Sequence, residues 1–417
     1  MNNEEKEPQP IRASDGKGYY NRGPHDSLRD IEGPDFLVPP ATDHGTLPNM
    51  RFSYDDVRNR LEDGGWAREI TNREIPASDQ VAGVDMNLGP GVYREMHWHK
   101  EAEWGLMLYG NARVTAIDEN GKSFIDDVKA GDIWNFEAGV AHSIQGLDQG
   151  CEFLLVFSEP DFSENNTMLI TDWLAHTPKE IVAANFKKKI SELENLPTKE
   201  KYIFKKAVPK PIEDVKRPNN NGETPLPLTF HMDSLKPIES EAGRVWIVDQ
   251  KEFPAAKTIS AAIVEVEPGG MRELHWHPKG AEWQYYIQGE ARMTVFNSNG
   301  LARTFDYRAG DVGYVPTVAG HYVQNTGKEK LIFVEVFKNP DYSDISLNKW
   351  MATTPSQIVA DHLNLTKEFV ESLPQEETPT PVIWFDQDKI NQDIKKHTSS
   401  NPFDREESNG LNAKDVF

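Results

Sequence analysis

A chain of 417 residues with 45 basic and 67 acidic side chains, net charge −22, has room for two or three domains. Its charge excludes a long-range attraction to nucleic acid or to an anionic membrane, and it repels small anions, so an anion site here needs arginines of its own. One cysteine, Cys151 in GCEFLLVF, excludes an internal disulfide framework and any multi-cysteine metal cluster.

Taken in chain order, the opening MNNEEKEPQP has neither the basic nor the apolar region of a signal peptide. No apolar run approaches the roughly 18–20 residues that a spanning helix needs. A cytoplasmic location is the expectation. Residues 1–50, rich in Pro, Gly and charge, read as an N-terminal arm. Beyond them come short apolar segments (ARVTAI, EFLLVF) set apart by LGPG and KAGD turns, which is the pattern of an all-β sandwich or barrel. The same order then returns with ARMTVF, LIFVEVF, EPGG and RAGD, at an offset of 177 to 180 residues throughout. So long a period means two copies of one domain rather than a solenoid. Thr177-Pro178-Lys179-Glu180 and Thr354-Pro355-Ser356-Gln357 each predict a capping box with Pro at the first helical position, so each copy is expected to close on a helix. The stretch KKAVPKPIEDVKRPNNNGETPLP reads as a linker. The resulting division is a first domain over 51–234 that includes a lid and the linker, a second over 235–385, and a tail over 386–417.

The densest chemistry lies in two matched phrases, HWHKEAEW from His97 and HWHPKGAEW from His275. On a strand, residues i and i+2 share a face, so His97 and His99 point together, as do His275 and His277, with Trp98 and Trp276 on the other face. Glu103 and Glu282 follow within reach, and His142 and His321 sit at matched places downstream. Three neutral imidazoles and a carboxylate would hold a divalent ion with net charge +1, and an octahedral shell would keep two positions open. Such ligands on their own favour Zn, Fe, Cu or Ni. The other histidines (His25, His44, His176, His231, His362 and His397) have no matched partner and read as ordinary side chains.

These residues resemble the cupin superfamily. Its first motif is complete twice, from Gly91 to Gly110 and from Gly269 to Gly289. Its second motif keeps His142 and His321 but has Glu137, Gly146 and Val318 at three of its Pro, Asn and Gly positions. Further stretches, among them RFSYDDVRNRLEDGGWARE, TDWLAHTPKE and HWHP…EWQYYI, resemble bacterial bicupin oxalate decarboxylases from about residue 9 to about residue 380. The resemblance implies two tandem jelly-roll barrels, all-β with a few helices, assembled as a homo-oligomer (a trimer or hexamer). It also implies up to two Mn(2+) ions per subunit, with dioxygen as a redox cofactor, and conversion of oxalate to formate and CO2.

Arg94 and Arg272 stand three residues before the first histidine of each phrase. That odd spacing puts them on the far face of a regular strand, yet a guanidinium fork suits a bound dicarboxylate. The copies differ most after VF. Nine residues separate Ser163 from Trp173, but only six separate Ser343 from Trp350. A polar loop lengthened beside one site reads as a lid, and the resemblance makes its Glu164 the proton-transferring residue, although Asn166 departs from the family's Ser-Glu-Asn-Ser-Thr lid. Asp344 is the shorter counterpart of Glu164. Glu335 interrupts LIFVEVF where the first copy has Leu155, and it is the second candidate acid. Oxalate oxidase, or a non-catalytic storage bicupin, are the competing functional readings.

Overall fold

A computed structural model describes residues 24–374 and 381–385, apart from 38, 41 and 217–220. Half of the expected arm and all of the expected tail over 386–417 lie outside the described residues. The repeat folds as two β-barrels in tandem, mostly strand with few helices. In the first copy, strands Glu103–Ile117 and Ala141–Phe157 run 15 and 17 residues and join everything into one 11-stranded sheet. The second copy breaks the same stretches into Glu282–Gln288 with Glu290–Phe296, and Gly320–Asn325 with Leu331–Phe337. It therefore forms separate sheets of seven and six strands.

The apolar run EFLLVF is continuous because both its faces are covered. Phe153, Leu155 and Phe157 fill the first barrel, whereas Leu154 and Val156 join a cluster shared with Trp246, Val264 and Trp283 of the second copy. Cys151 packs in the first barrel's core. The two copies also exchange edges. Arg51–Ser53 pairs with Asp311–Gly313 in the second copy's sheet. Thr229–Phe230, after the linker and at the place in the repeat that matches Arg51–Phe52 (RFSYDD against TFHMDS), pairs with Ile133 and Trp134 of the first. Among the described residues no helix is long and apolar enough to cross a membrane.

The expected capping boxes do not form. Pro178 and Pro355 occupy the N-cap positions of Lys179–Phe186 and Ser356–Leu363, and neither helix has a side-chain cap. The two threonines instead belong to the end of the preceding helix: Thr177 Oγ1 donates to Trp173 O and Thr354 Oγ1 to Trp350 O, both at 2.8 Å. A hydroxyl bonded four residues back cannot also serve the next helix.

His231 is not the unpartnered side chain its sequence suggests. Its Nδ1 meets Asp132 Oδ2 at 2.9 Å and its Nε2 meets Asp126 Oδ2 at 3.1 Å, clipping the end of the linker to the first barrel. The two carboxylates raise the imidazole pKa to about 10. A pKa raised above the unfolded value of about 6.5 stabilises fully below that value and is lost as pH climbs through the folded one. His231→Gln should therefore lower the melting temperature at pH about 6.5, and the gap to wild type should close by pH about 10. A gap independent of pH would assign the effect to packing.

Candidate metal centres

The first centre is built on the strand Val92–Trp98 and its neighbours. His97 lies opposite His142 on the adjacent strand Ala141–Phe157, and Glu103 opens the strand that follows. The Nε2 atoms of His99 and His142 lie 3.1 and 3.3 Å from Glu103 Oε2. In the second copy the Nε2 atoms of His277 and His321 lie 3.1 and 2.8 Å from Glu282 Oε2, and His275 Nε2 is 3.1 Å from His277 Nε2. Ligand atoms within each set lie within 4.8 Å of one another, and all eight residues are buried.

The backbone sets the tautomers. Nδ1–H of His97, His99 and His142 donates to the carbonyls of Glu95, Glu101 and Val140 at 2.6 to 2.8 Å. Nδ1–H of His275, His277 and His321 donates to Glu273, Ser343 and Ala319 at 2.6 to 3.1 Å. A carbonyl can only accept, so in the neutral ring each Nε2 keeps its lone pair and turns it inward. Burial, then Arg94, pushes the His97 pKa well below its usual value, and burial with Arg272 does the same to His275. Burial works against ionising Glu103, yet His142 and His99 hold its carboxyl well below the ordinary range; His321 and His277 do so for Glu282. The buried atoms His142 Nε2, His321 Nε2 and Glu282 Oε2 have no hydrogen-bond partner. Inward nitrogen atoms around a buried carboxylate, with polar atoms that lack hydrogen-bond partners, fit a divalent cation.

Each ligating glutamate has a supporting donor that the sequence did not reveal. Trp134 Nε1 donates to Glu103 Oε1 at 3.0 Å, and Gln284 Nε2 donates to Glu282 Oε1 at 2.6 Å. The two solutions are reciprocal. Gly105 faces Trp134 across the strands of the first barrel, and Gln284 faces Gly313 across those of the second. A Cβ on Gly105 would lie 2.0 Å from the indole, and one on Gly313 would lie 2.6 Å from the Gln284 carbonyl oxygen.

Both arginines reach the sites through a bulge. Arg94 pairs with Ile144 and His97 with His142, a step of three on one strand against two on the other. Arg272 and His275 repeat the irregularity against Val323 and His321. The extra residue resets the alternation, so arginine and histidine share a face despite their odd spacing. Arg94 Nη2 donates to Glu164 Oε2 at 2.8 Å, its Nη1 is buried without a partner, and its guanidinium lies 4.3 Å from the Tyr202 ring centroid. Arg272 bonds Asp344 and Tyr342 Oη. Trp98 and Trp276 stack edge-on with Trp173 and Trp350 at 5.4 and 5.5 Å, away from the ligand sets.

The lengthened loop of the first copy forms a 3-10 turn, Glu164–Asn166, capped when Ser163 Oγ accepts from Asn165 N. After it, Met168–Leu169 pairs with Trp98 and His97, as Ile345–Ser346 pairs with Trp276 and His275. The insertion is thus the turn itself. Glu164 is buried while Asn166 is exposed, so the departure from the family's lid falls on the solvent side. Glu335 is fully buried in the second barrel, with Tyr342 Oη donating to it at 3.4 Å and Arg272 Nε 3.8 Å away. Burial and the neighbouring Glu282 push its carboxyl up to about 8. Val318, standing where the second motif has glycine, adopts φ 61° and still donates to His277 O, as Gly139 does to His99 O. A β-branched residue tolerates that conformation only at a cost in stability.

The cupin family profile matches residues 53–192 and 231–371, both copies. Oxalate decarboxylase OxdC of Bacillus subtilis is 56% identical over 372 residues, covering 89% of this chain and 96% of its own length. The chain belongs to the bicupin oxalate decarboxylases. A crystal structure of Lactobacillus farciminis oxalate decarboxylase in a formate complex shares 69% identity, with TM-score 0.80, over 81% of this bicupin and 100% of that chain. A structure of the B. subtilis enzyme, described for its Mn(II) centres, superposes with TM-score 0.87 at 56% identity over 90% and 99% of the two chains.

Proposed function

We propose that this bicupin splits oxalate into formate and CO2 at a manganese centre held by His97, His99, Glu103 and His142, with a second ion held by His275, His277, Glu282 and His321. The observation that carries the reading is the buried Arg94–Glu164 pair beside the first ligand set, on a turn that the second copy lacks. Manganese, with dioxygen as a redox cofactor that is not consumed, would supply reversible one-electron oxidation. The rest falls to side chains. Arg94 binds the far carboxylate with its fork, its unpartnered Nη1 being the donor left for it. Glu164 accepts the carboxylic proton and returns it to carbon once CO2 has left. The net reaction, hydrogen oxalate to formate and CO2, needs no net oxidant. Glu335 and Arg272 are the corresponding acid and anchor of the second centre, where Asp344 takes the place of Glu164 beside the arginine.

The same reading includes a homo-oligomer in the cytoplasm. Support for the oligomer is a matched set of exposed apolar side chains, Met96, Ile117 and Trp173 on one copy and Leu274, Phe296 and Trp350 on the other. Large exposed apolar patches mark contact surfaces. The test is product analysis of Mn-loaded protein with oxalate. Formate and CO2 in equal amounts, with little peroxide, support the decarboxylase; CO2 with peroxide and no formate would make the chain an oxidase. In the same assay Arg94→Lys should cut turnover more than Arg272→Lys, because an ammonium cannot reproduce the bidentate contact. Equal losses would mean that both centres carry the chemistry.

A further inference from the structure

A cleft of about 830 Å³ opens outside the Glu164 turn, between residues 52–61, the strand Gly65–Ile70, Arg73–Glu74 and Tyr202. Four arginines line it: Arg58, Arg60, Arg68 and Arg73. In a chain of net charge −22 such a concentration of guanidinium beside an active-site turn calls for a reason. Most of it is not spent on the cleft. Arg60 pairs with Glu62 and Glu200, and Arg73 with Glu69. Arg68 uses Nη1 on Tyr54 O and Asp55, but its Nε is buried without a partner. Arg58 is exposed, with no hydrogen bond or ion pair among the described residues. Tyr202 Oη, in the same lining, is buried beside the Glu164 carboxylate.

The cleft also connects to the centre through one ring. Guanidinium carbons of Arg60 and Arg94 lie 3.5 and 4.3 Å from the Tyr202 centroid. Both distances place the cation over a face rather than at an edge, and two guanidinium groups that close cannot share one face. Tyr202 is therefore a wall with Arg60 on one side and Arg94 on the other. A guanidinium thus stands on the cleft side of the ring and another on the side of the site.

We propose that this cleft is a second anion site, an antechamber in which Arg58 and Arg68 hold a small dicarboxylate before it passes the Glu164 turn to Arg94. That the anion is oxalate rests on the function proposed above. The acidic side chains of the same lining, Asp56, Glu69, Glu74 and Glu164, match the four arginines in number and keep the hold weak, which suits transit. The arginines offset locally the repulsion that the whole chain exerts on a dianion, and so raise its concentration at the turn.

The test measures initial rates of formate production by the Mn-loaded enzyme, in wild type, Arg58→Glu and Lys251→Glu. Lys251 is an exposed lysine paired with Asp249, outside the cleft, and its variant makes the same change in net charge. Arg58→Glu should raise KM and lower kcat/KM by about fivefold at low ionic strength, with the loss fading near 0.5 M salt, on the order of a 4 Å screening length. Lys251→Glu should stay close to wild type. Equal losses in both variants would reduce the effect to net charge, and no loss in Arg58→Glu would leave the cleft without a role; either overturns the antechamber. Should wild type make no formate, the oxalate reading falls by itself. Calorimetric titration with malonate then decides the antechamber: weaker binding in Arg58→Glu supports it, and equal binding overturns it.

Discussion

Glu164→Ala should remove most formate production, a loss of about 10²–10⁴-fold, the usual range for general acid–base help. Glu164 sits beside Arg94 at 2.8 Å but outside the ligand set, and its turn is an insertion that the second copy does without. Its removal should therefore leave metal content and folding intact. Without a group to return the proton, oxalate that has lost one electron should lose the second to dioxygen, so peroxide should appear as formate disappears. Glu335→Ala should retain more formate production than Glu164→Ala. Product analysis by formate and peroxide assays, with metal content measured in parallel, checks all of this. A near-normal Glu164→Ala alongside a dead Glu335→Ala would move the chemistry to the second barrel.

The double variant His97→Ala/His99→Ala should bind one manganese per chain where wild type binds two. Both residues offer an inward Nε2, and Glu103 with His142 alone cannot enclose a divalent ion. The second set is complete in itself and should keep its metal. Elemental analysis of purified protein gives the ratio directly. A ligand that binds only the folded state also stabilises it, so added manganese should raise the melting temperature of the variant less than that of wild type. Zinc as the sole metal in a fully active preparation would defeat the manganese assignment.

Parity along a strand made the His-x-His pairs legible, and a simple count of residues made the extra turn at Glu164 legible. The two barrels were legible because the repeat was long and kept its order. What stayed hidden depends on neighbours across strands rather than along them. Parity misplaces Arg94 and Arg272, because the bulge between arginine and histidine appears only when the partner strand is known. Trp134 and Gln284 read as a core aromatic and a strand polar residue until register sets them beside Glu103 and Glu282. His231 looks isolated because its two aspartates lie about a hundred positions upstream. The edge exchange of Arg51–Ser53 and Thr229–Phe230 leaves no local signature, since an edge strand reads the same whichever sheet receives it.

The reciprocal Gly105–Trp134 and Gln284–Gly313 pairs carry a historical consequence. If the copies began identical, no single substitution converts one arrangement into the other without a poor intermediate. Placing Gln at 105 first drives it into the indole, and placing Gly at 134 first leaves a hole and a buried carboxylate oxygen without its donor. Substitutions at contacting positions of this kind are strongly non-additive. On that premise, divergence at this point crosses a barrier, and the same barrier opposes reversal. At this cross-strand pair sterics keep the two centres distinct, so a designer who wishes to transplant one glutamate's supporting donor into the other barrel must move both residues together.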